Sequence, residues 1–62
     1  MPDQSDLLLE IEKFLLRHDM SASAFGKEAV NDRGFVRQLR RGRQLLPNTM
    51  RKVREFMVKD LI

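Results

Sequence analysis

Met20-Ser-Ala-Ser-Ala-Phe-Gly-Lys-Glu-Ala-Val-Asn-Asp-Arg-Gly-Phe-Val-Arg-Gln-Leu-Arg-Arg-Gly-Arg43 is the stretch on which the fold turns. Ser21 is a good N-cap, because its hydroxyl accepts from the free N–H groups of a first helical turn. The residues behind it are small (Ala22, Ala24, Gly26, Ala29), with Phe25 as the one large apolar anchor. They predict a short helix ending at about Ala29 or Val30. Glycine inside a helix costs about 0.5–1 kcal/mol relative to alanine, so Gly26 signals the close approach of another backbone. Asn31-Asp32 reads as a turn and as the N-cap of a further helix over about 33–41. Gly42 stands where a left-handed C-terminal residue is wanted. On that helix Val36 and Leu39 face inward with Phe35 on the flank. Arg33, Gly34, Arg37, Gln38 and Arg41 follow its outward face. Two short helices joined by three or four residues make a helix-turn-helix.

The chain on either side reads as helix too. A first helix is expected from about Ser5 to His18, capped by Ser5 or Asp3, with Asp6 placed where the helix dipole favours negative charge. Leu8, Ile11 and Leu15, then Leu7 and Phe14, recur at three- and four-residue steps, and charged residues fill the opposite face. His18-Asp19-Met20 makes a short connection. Beyond a loop from Arg43 to Leu46, Pro47 or Asn48 opens a fourth helix. Met50, Val53, Phe56 or Met57, and Leu61 supply its apolar stripe. The expected fold class is all-α: a compact four-helix bundle in a single domain over 1–62, with the motif at about 21–41.

Composition narrows the function classes. A chain of 62 residues buries only about 60% of the surface it exposes when unfolded, so one core must hold it together. The absence of cysteine excludes disulfides and thiolate metal sites. A lone histidine builds no metal cage, and no cofactor or small-molecule substrate is implied. No apolar run exceeds the three residues of Leu7-Leu8-Leu9, far too few to cross a membrane. Asp3 and Asp6 stand where a signal peptide would be basic, which makes a cytoplasmic location the expectation. His18, Asp19, Ser21 and Ser23 are close in sequence, but a helix end followed by a cap accounts for them without a hydrolytic triad. Gly26-Lys27 lacks the preceding strand and glycine pattern of a phosphate loop. The four methionines read as gap-filling core. The expectation is a binding protein and not an enzyme.

Charge points to the partner. The net charge of +3 hides a −4 first half (1–32) and a +7 second half (33–62). Arg33 to Arg43 carries five arginines in eleven residues and no acid. A solvated salt-bridged face would mix signs at helical spacing; one-sided positive charge draws polyanions instead. Arginine's planar fork suits phosphates and guanine edges. Four phenylalanines with no Tyr or Trp make a poor stacking platform for single strands, and A-form RNA hides its major groove from a helix.

Residues Met20–Arg43 resemble, without a gap, the helix-turn-helix of the phage-repressor/Cro-like (XRE-type) DNA-binding family, and the flanking helices extend the likeness over most of the chain. The small residue where the two motif helices touch is Gly26. The aliphatic position is Val36, the leucine is Leu39, and the glycine that ends the recognition helix is Gly42. Two positions depart from the family. Val30 stands where glycine is usual in the turn, and Asn31, one step later, can take the positive φ instead. Ala22 replaces a phosphate-touching glutamine, which leaves such a contact to Ser21, Ser23 or a backbone N–H.

The resemblance implies a lambda-repressor-like fold and a small transcriptional regulator of bacterial or phage type, acting in the bacterial cytoplasm or nucleoid on double-stranded DNA. It puts the base-reading face on Arg33, Gly34, Arg37 and Gln38. Arginine pairs with guanine O6 and N7, and glutamine with adenine N6 and N7. Arg40, Arg41, Arg43, Arg51 and Lys52 are cast as phosphate clamps, which fix register without reading sequence. Val58, Leu61 and Ile62 form a candidate homodimer patch on the last helix, since two-fold dimers set recognition helices about one DNA turn apart. The competing expectation is a protein-interaction module that docks an acidic partner on the arginine face.

Overall fold

Helix α1 spans Gln4–Arg17, α2 Ala22–Val30, α3 Phe35–Arg40 and α4 Pro47–Lys59 in the computed structural model, which describes residues 4–59. The described residues are all-helical or connecting turn, so the all-α class holds. Asp3, one of the two expected caps of α1, lies outside the described residues, as do Met1, Leu61 and Ile62.

The amphipathic reading of α1 places its core face well. Leu7, Ile11, Phe14 and Leu15 are buried, while Leu8 only packs against the edge of the core. Ser21 caps α2 as its chemistry requires, its Oγ accepting from the Ala24 N–H at 3.1 Å. Pro47 opens α4, where its fixed φ and missing N–H cost nothing. Val53 and Met57 are buried on α4, and Met50 and Phe56 are partly buried beside them. Phe14, Phe25 and Phe56 bring α1, α2 and α4 together, with ring centroids 5.3–5.9 Å apart and two of the three pairs edge-on. Such pairs add about 0.5–1.5 kcal/mol each beyond the area they bury. The radius of gyration of 10.6 Å is that of a packed domain of this length, about 10–11 Å.

Helices α2 and α3 meet most closely at Gly26. A Cβ there would stand 2.2 Å from the Asp32 carbonyl oxygen and 3.1 Å from the Phe35 Cβ. The Asp32 N–H donates back to the Gly26 carbonyl at 3.0 Å. Asn31 takes φ 57°, in the left-handed region that asparagine tolerates better than most residues. This one residue ends α2 and reverses the chain, so valine at position 30 keeps an ordinary helical conformation.

Two expectations about the second motif helix are corrected. It does not run over 33–41 but over Phe35–Arg40, and Arg33 and Gly34 belong to the turn. The cause is Asp32. Its Oδ1 accepts from the Gly34 N–H at 3.0 Å and its carbonyl from the Phe35 N–H at 3.1 Å, a tight turn that delays the helix. Phe35 is not on the flank but is 1% exposed. It fills the space that Gly26 leaves open. Gly42 carries φ 100°, as a helix-ending glycine should.

The Gly26→Ala variant sets two effects against each other. Alanine gains roughly 1 kcal/mol of helix propensity, whereas its methyl would collide with backbone at Asp32, and overpacking costs about 1–3 kcal/mol. The collision wins, because the turn cannot retreat without moving Phe35. The urea midpoint is expected to fall; a midpoint that rises would show that α2 and α3 are not in tight contact.

Candidate nucleic-acid interface

Asp32 organises the start of the basic segment. Its Oδ1 holds the Gly34 N–H, and its Oδ2 lies 3.4 Å from Arg43 Nη1. The same Nη1 donates to Gln38 Oε1 at 2.5 Å. The Arg43 guanidinium also stands 5.9 Å from the Phe35 ring centroid. Backbone ties complete the arrangement: the Arg43 N–H donates to the Gln38 carbonyl at 3.0 Å, and the Arg43 carbonyl accepts from Gln4 Nε2. Gln4 Oε1 in turn accepts from the Leu45 N–H at 2.7 Å. One amide at the start of α1 thus pins the loop after α3 and seats Leu45 in the core.

The arginines divide into two sets. Arg40 turns towards α1 and donates to both carboxylate oxygens of Glu12, from Nε and Nη2, each at 2.7 Å. Arg54 pairs with Glu10 at 2.5 Å, and Arg51 donates to Asn48 at 3.1 Å. By contrast Arg33, Arg37 and Arg41, spaced by four residues, are exposed, and their side chains form no hydrogen bond or ion pair with any described residue. The acidic half of the chain therefore neutralises the flanks of the basic half and leaves three charges outward on the α3 side.

Each described residue singled out from the sequence has a definite place. Arg33 projects from the turn, Gly34 is the N-cap position of α3, and Arg37 and Gln38 lie exposed on its first turns. Arg41 is the C-cap residue and Arg43 lies in the following loop. Ser21 is committed to its cap, and Ser23 is exposed two residues further on. Arg51 and Lys52 are exposed on α4, and Lys52 lines a groove with Glu28 and Ala29 of α2 to which no arginine of α3 contributes. Val58 is 57% exposed. Nothing in the local sequence marks Gln4, Glu12 and Asp32 as partners of the basic segment. Their roles depend on contacts 28 to 41 residues apart for Glu12 and Gln4, which local spacing does not reveal.

Comparisons with known protein families, with curated proteins and with solved structures give no match for this chain. Among the described residues no group of His, Asp and Glu could hold a metal ion, and no helix is long and apolar enough to cross a membrane.

The hydrogen bonds from Arg40 hold the Glu12 carboxyl below its ordinary value of 4.5, against a smaller opposing effect of burial. A carboxyl lowered in the folded state stabilises above its unfolded pKa and loses that contribution as pH falls through the folded value. Both side chains are more than a third exposed, so solvent limits the pair to about 1 kcal/mol or less. Glu12→Gln should be slightly less stable than wild type at pH 7, with the gap closing as pH falls below about 4.5. Denaturation curves at several pH values check this; a gap that widens in acid would contradict the assignment.

Proposed function

We propose that this protein binds double-stranded DNA and acts as a small transcriptional regulator, with α3 and the turn before it in the major groove. The observation that carries the reading is the trio of exposed arginines Arg33, Arg37 and Arg41, whose side chains have no partner among the described residues, on a segment that contains no acid. Surface arginines with nothing to neutralise them raise the local potential and favour a polyanion. The short α2, its serine cap, the tight turn and the outward polar residues of α3 support a helix-turn-helix of the phage-repressor/Cro-like kind. Arg33, Arg37 and Gln38 are the base readers in this proposal. Arg41, with Arg51 and Ser23, supplies phosphate contacts that carry no sequence information.

The reading is tested by titrating isotope-labelled protein with a random 20-base-pair duplex at two salt concentrations. Shifts should concentrate on Arg33–Arg43 and weaken steeply with salt, with a log–log slope near −0.9 per phosphate neutralised. No shifts at low salt would overturn DNA binding and leave the arginine face to an acidic protein partner. Once a preferred site is selected, Arg37→Ala should cost on the order of 1–3 kcal/mol there and relax the preference at one base position. Equal losses on selected and random duplexes would remove Arg37 from the base-reading set.

A two-fold dimer would double the readout, and Val58 gives the exposed apolar start of the C-terminal patch that continues in sequence through Leu61 and Ile62. Sedimentation at high micromolar concentration should then give twice the mass of 7.3 kDa. A monomer mass there would exclude a patch of useful strength.

A further inference from the structure

Gln38 is the one amide on the outward face of α3, and it is not free. Its Oε1 accepts from Arg43 Nη1 at 2.5 Å, and that nitrogen is steadied by Asp32 Oδ2 at 3.4 Å. Arg43 itself is anchored through its N–H on Gln38, its carbonyl on Gln4 and its guanidinium beside the Phe35 ring. A side chain held on so many sides is a poor flexible clamp for phosphate. It is well suited to orient its neighbour.

We propose that Arg43 determines what Gln38 reads, fixing the amide as a hydrogen-bond donor so that α3 selects guanine where an unrestrained glutamine would select adenine. The inference rests on the DNA-binding reading above. A glutamine pairs with adenine through both ends of its amide, Oε1 taking the N6 amino group and Nε2 giving to N7. Here Oε1 faces a guanidinium, so an incoming amino group would meet positive charge. Nε2 points the other way, 3.6 Å from where a Cβ on Gly34 would stand. Gly34 has no side chain to cover it. Guanine offers two acceptors, O6 and N7, and no major-groove donor. Arg33 and Arg37 are also donors without an acceptor. The whole reading face therefore donates, and an acceptor-rich base edge complements it. Arg43 becomes a positioning residue, in place of the phosphate clamp expected from the sequence.

The test uses the full chain as wild type, Gln38→Ala, Arg43→Ala, Arg43→Lys and Arg41→Ala, with sites selected from a random duplex library and affinities measured at two salt concentrations. The informative base position is the one whose preference Gln38→Ala erases. Wild type should favour guanine there. Arg43→Ala should move the preference towards adenine by about tenfold, with an unchanged salt slope. Arg43→Lys, which keeps a donor, should retain guanine. Arg41→Ala should flatten the slope by about 0.9. Adenine preference in wild type overturns the proposal. So does a uniform loss in Arg43→Ala with a slope lower by about 0.9, the mark of a phosphate clamp. The Gln38 side-chain amide resonances of the free protein provide the second readout. They should move in Arg43→Ala while the backbone spectrum of α1, α2 and α4 stays in place; unmoved resonances also overturn the proposal. If wild type binds no duplex at low salt, the DNA reading has failed and the base assignment falls with it, whatever the amide resonances show.

Discussion

The contact between Gly26 and the Asp32 peptide is the constraint on which the rest of the molecule depends. A hydrogen at the Gly26 Cα lets the Asp32 carbonyl come where any Cβ would block it, at 2.2 Å. The Asp32 N–H then returns to the Gly26 carbonyl, and Asn31 absorbs the reversal at φ 57°. Three residues thus set how α3 leaves α2. Phe35 enters the core beneath Gly26, and its ring becomes the platform beside which the Arg43 guanidinium lies. The geometry of the polar face is inherited from a backbone contact on the buried side.

Charge follows the same plan. The −4 and +7 halves of the sequence are folded against each other by Glu12 on Arg40, Glu10 on Arg54 and Asp32 on Arg43. These pairs are exposed, so each contributes little to stability. Their larger effect is on where positive charge remains. They remove it from the side facing α1 and leave it at Arg33, Arg37 and Arg41. An asymmetric charge distribution along the chain becomes a directional one on the surface, which is what steering a polyanion requires.

The sequence made most of the fold legible because its deciding signals are local. The Ser21 cap, the glycine inside α2, the positive φ at Asn31, Pro47 at a helix start and Gly42 at a helix end each follow from the conformational limits of one residue. The start of α3 was not legible in the same way. Asp32 has two ways to use its carboxylate, as a helix cap or in a two-residue turn, and only the packing of Phe35 decides between them. The candidate site was legible as a list of arginines but not as an arrangement. Arg40 and Arg43 read the same as Arg37 and Arg41 along the chain. What separates them is the presence of Glu12, Asp32 and Gln38 across the fold, and the clamp by Gln4 comes from 39 residues away.

The shortness of α3 ties stability to the proposed function. Six residues are far too few to form a helix alone in water, where nucleation is costly and even 12–15 residues are marginal. The helix persists because Phe35, Val36 and Leu39 are buried and because both flanks are pinned, one by the Asp32 turn and the other by Gln4. Its three remaining residues, Arg37, Gln38 and Arg40, face outward. A helix held in this way presents its polar side chains at fixed heights and directions without helping to hold the core together. Exposed positions of α3 can therefore change the partner read with small effect on folding, whereas a change at Gly26, Asp32 or Gln4, none of them in the base-reading set, would shift every contact on that face together.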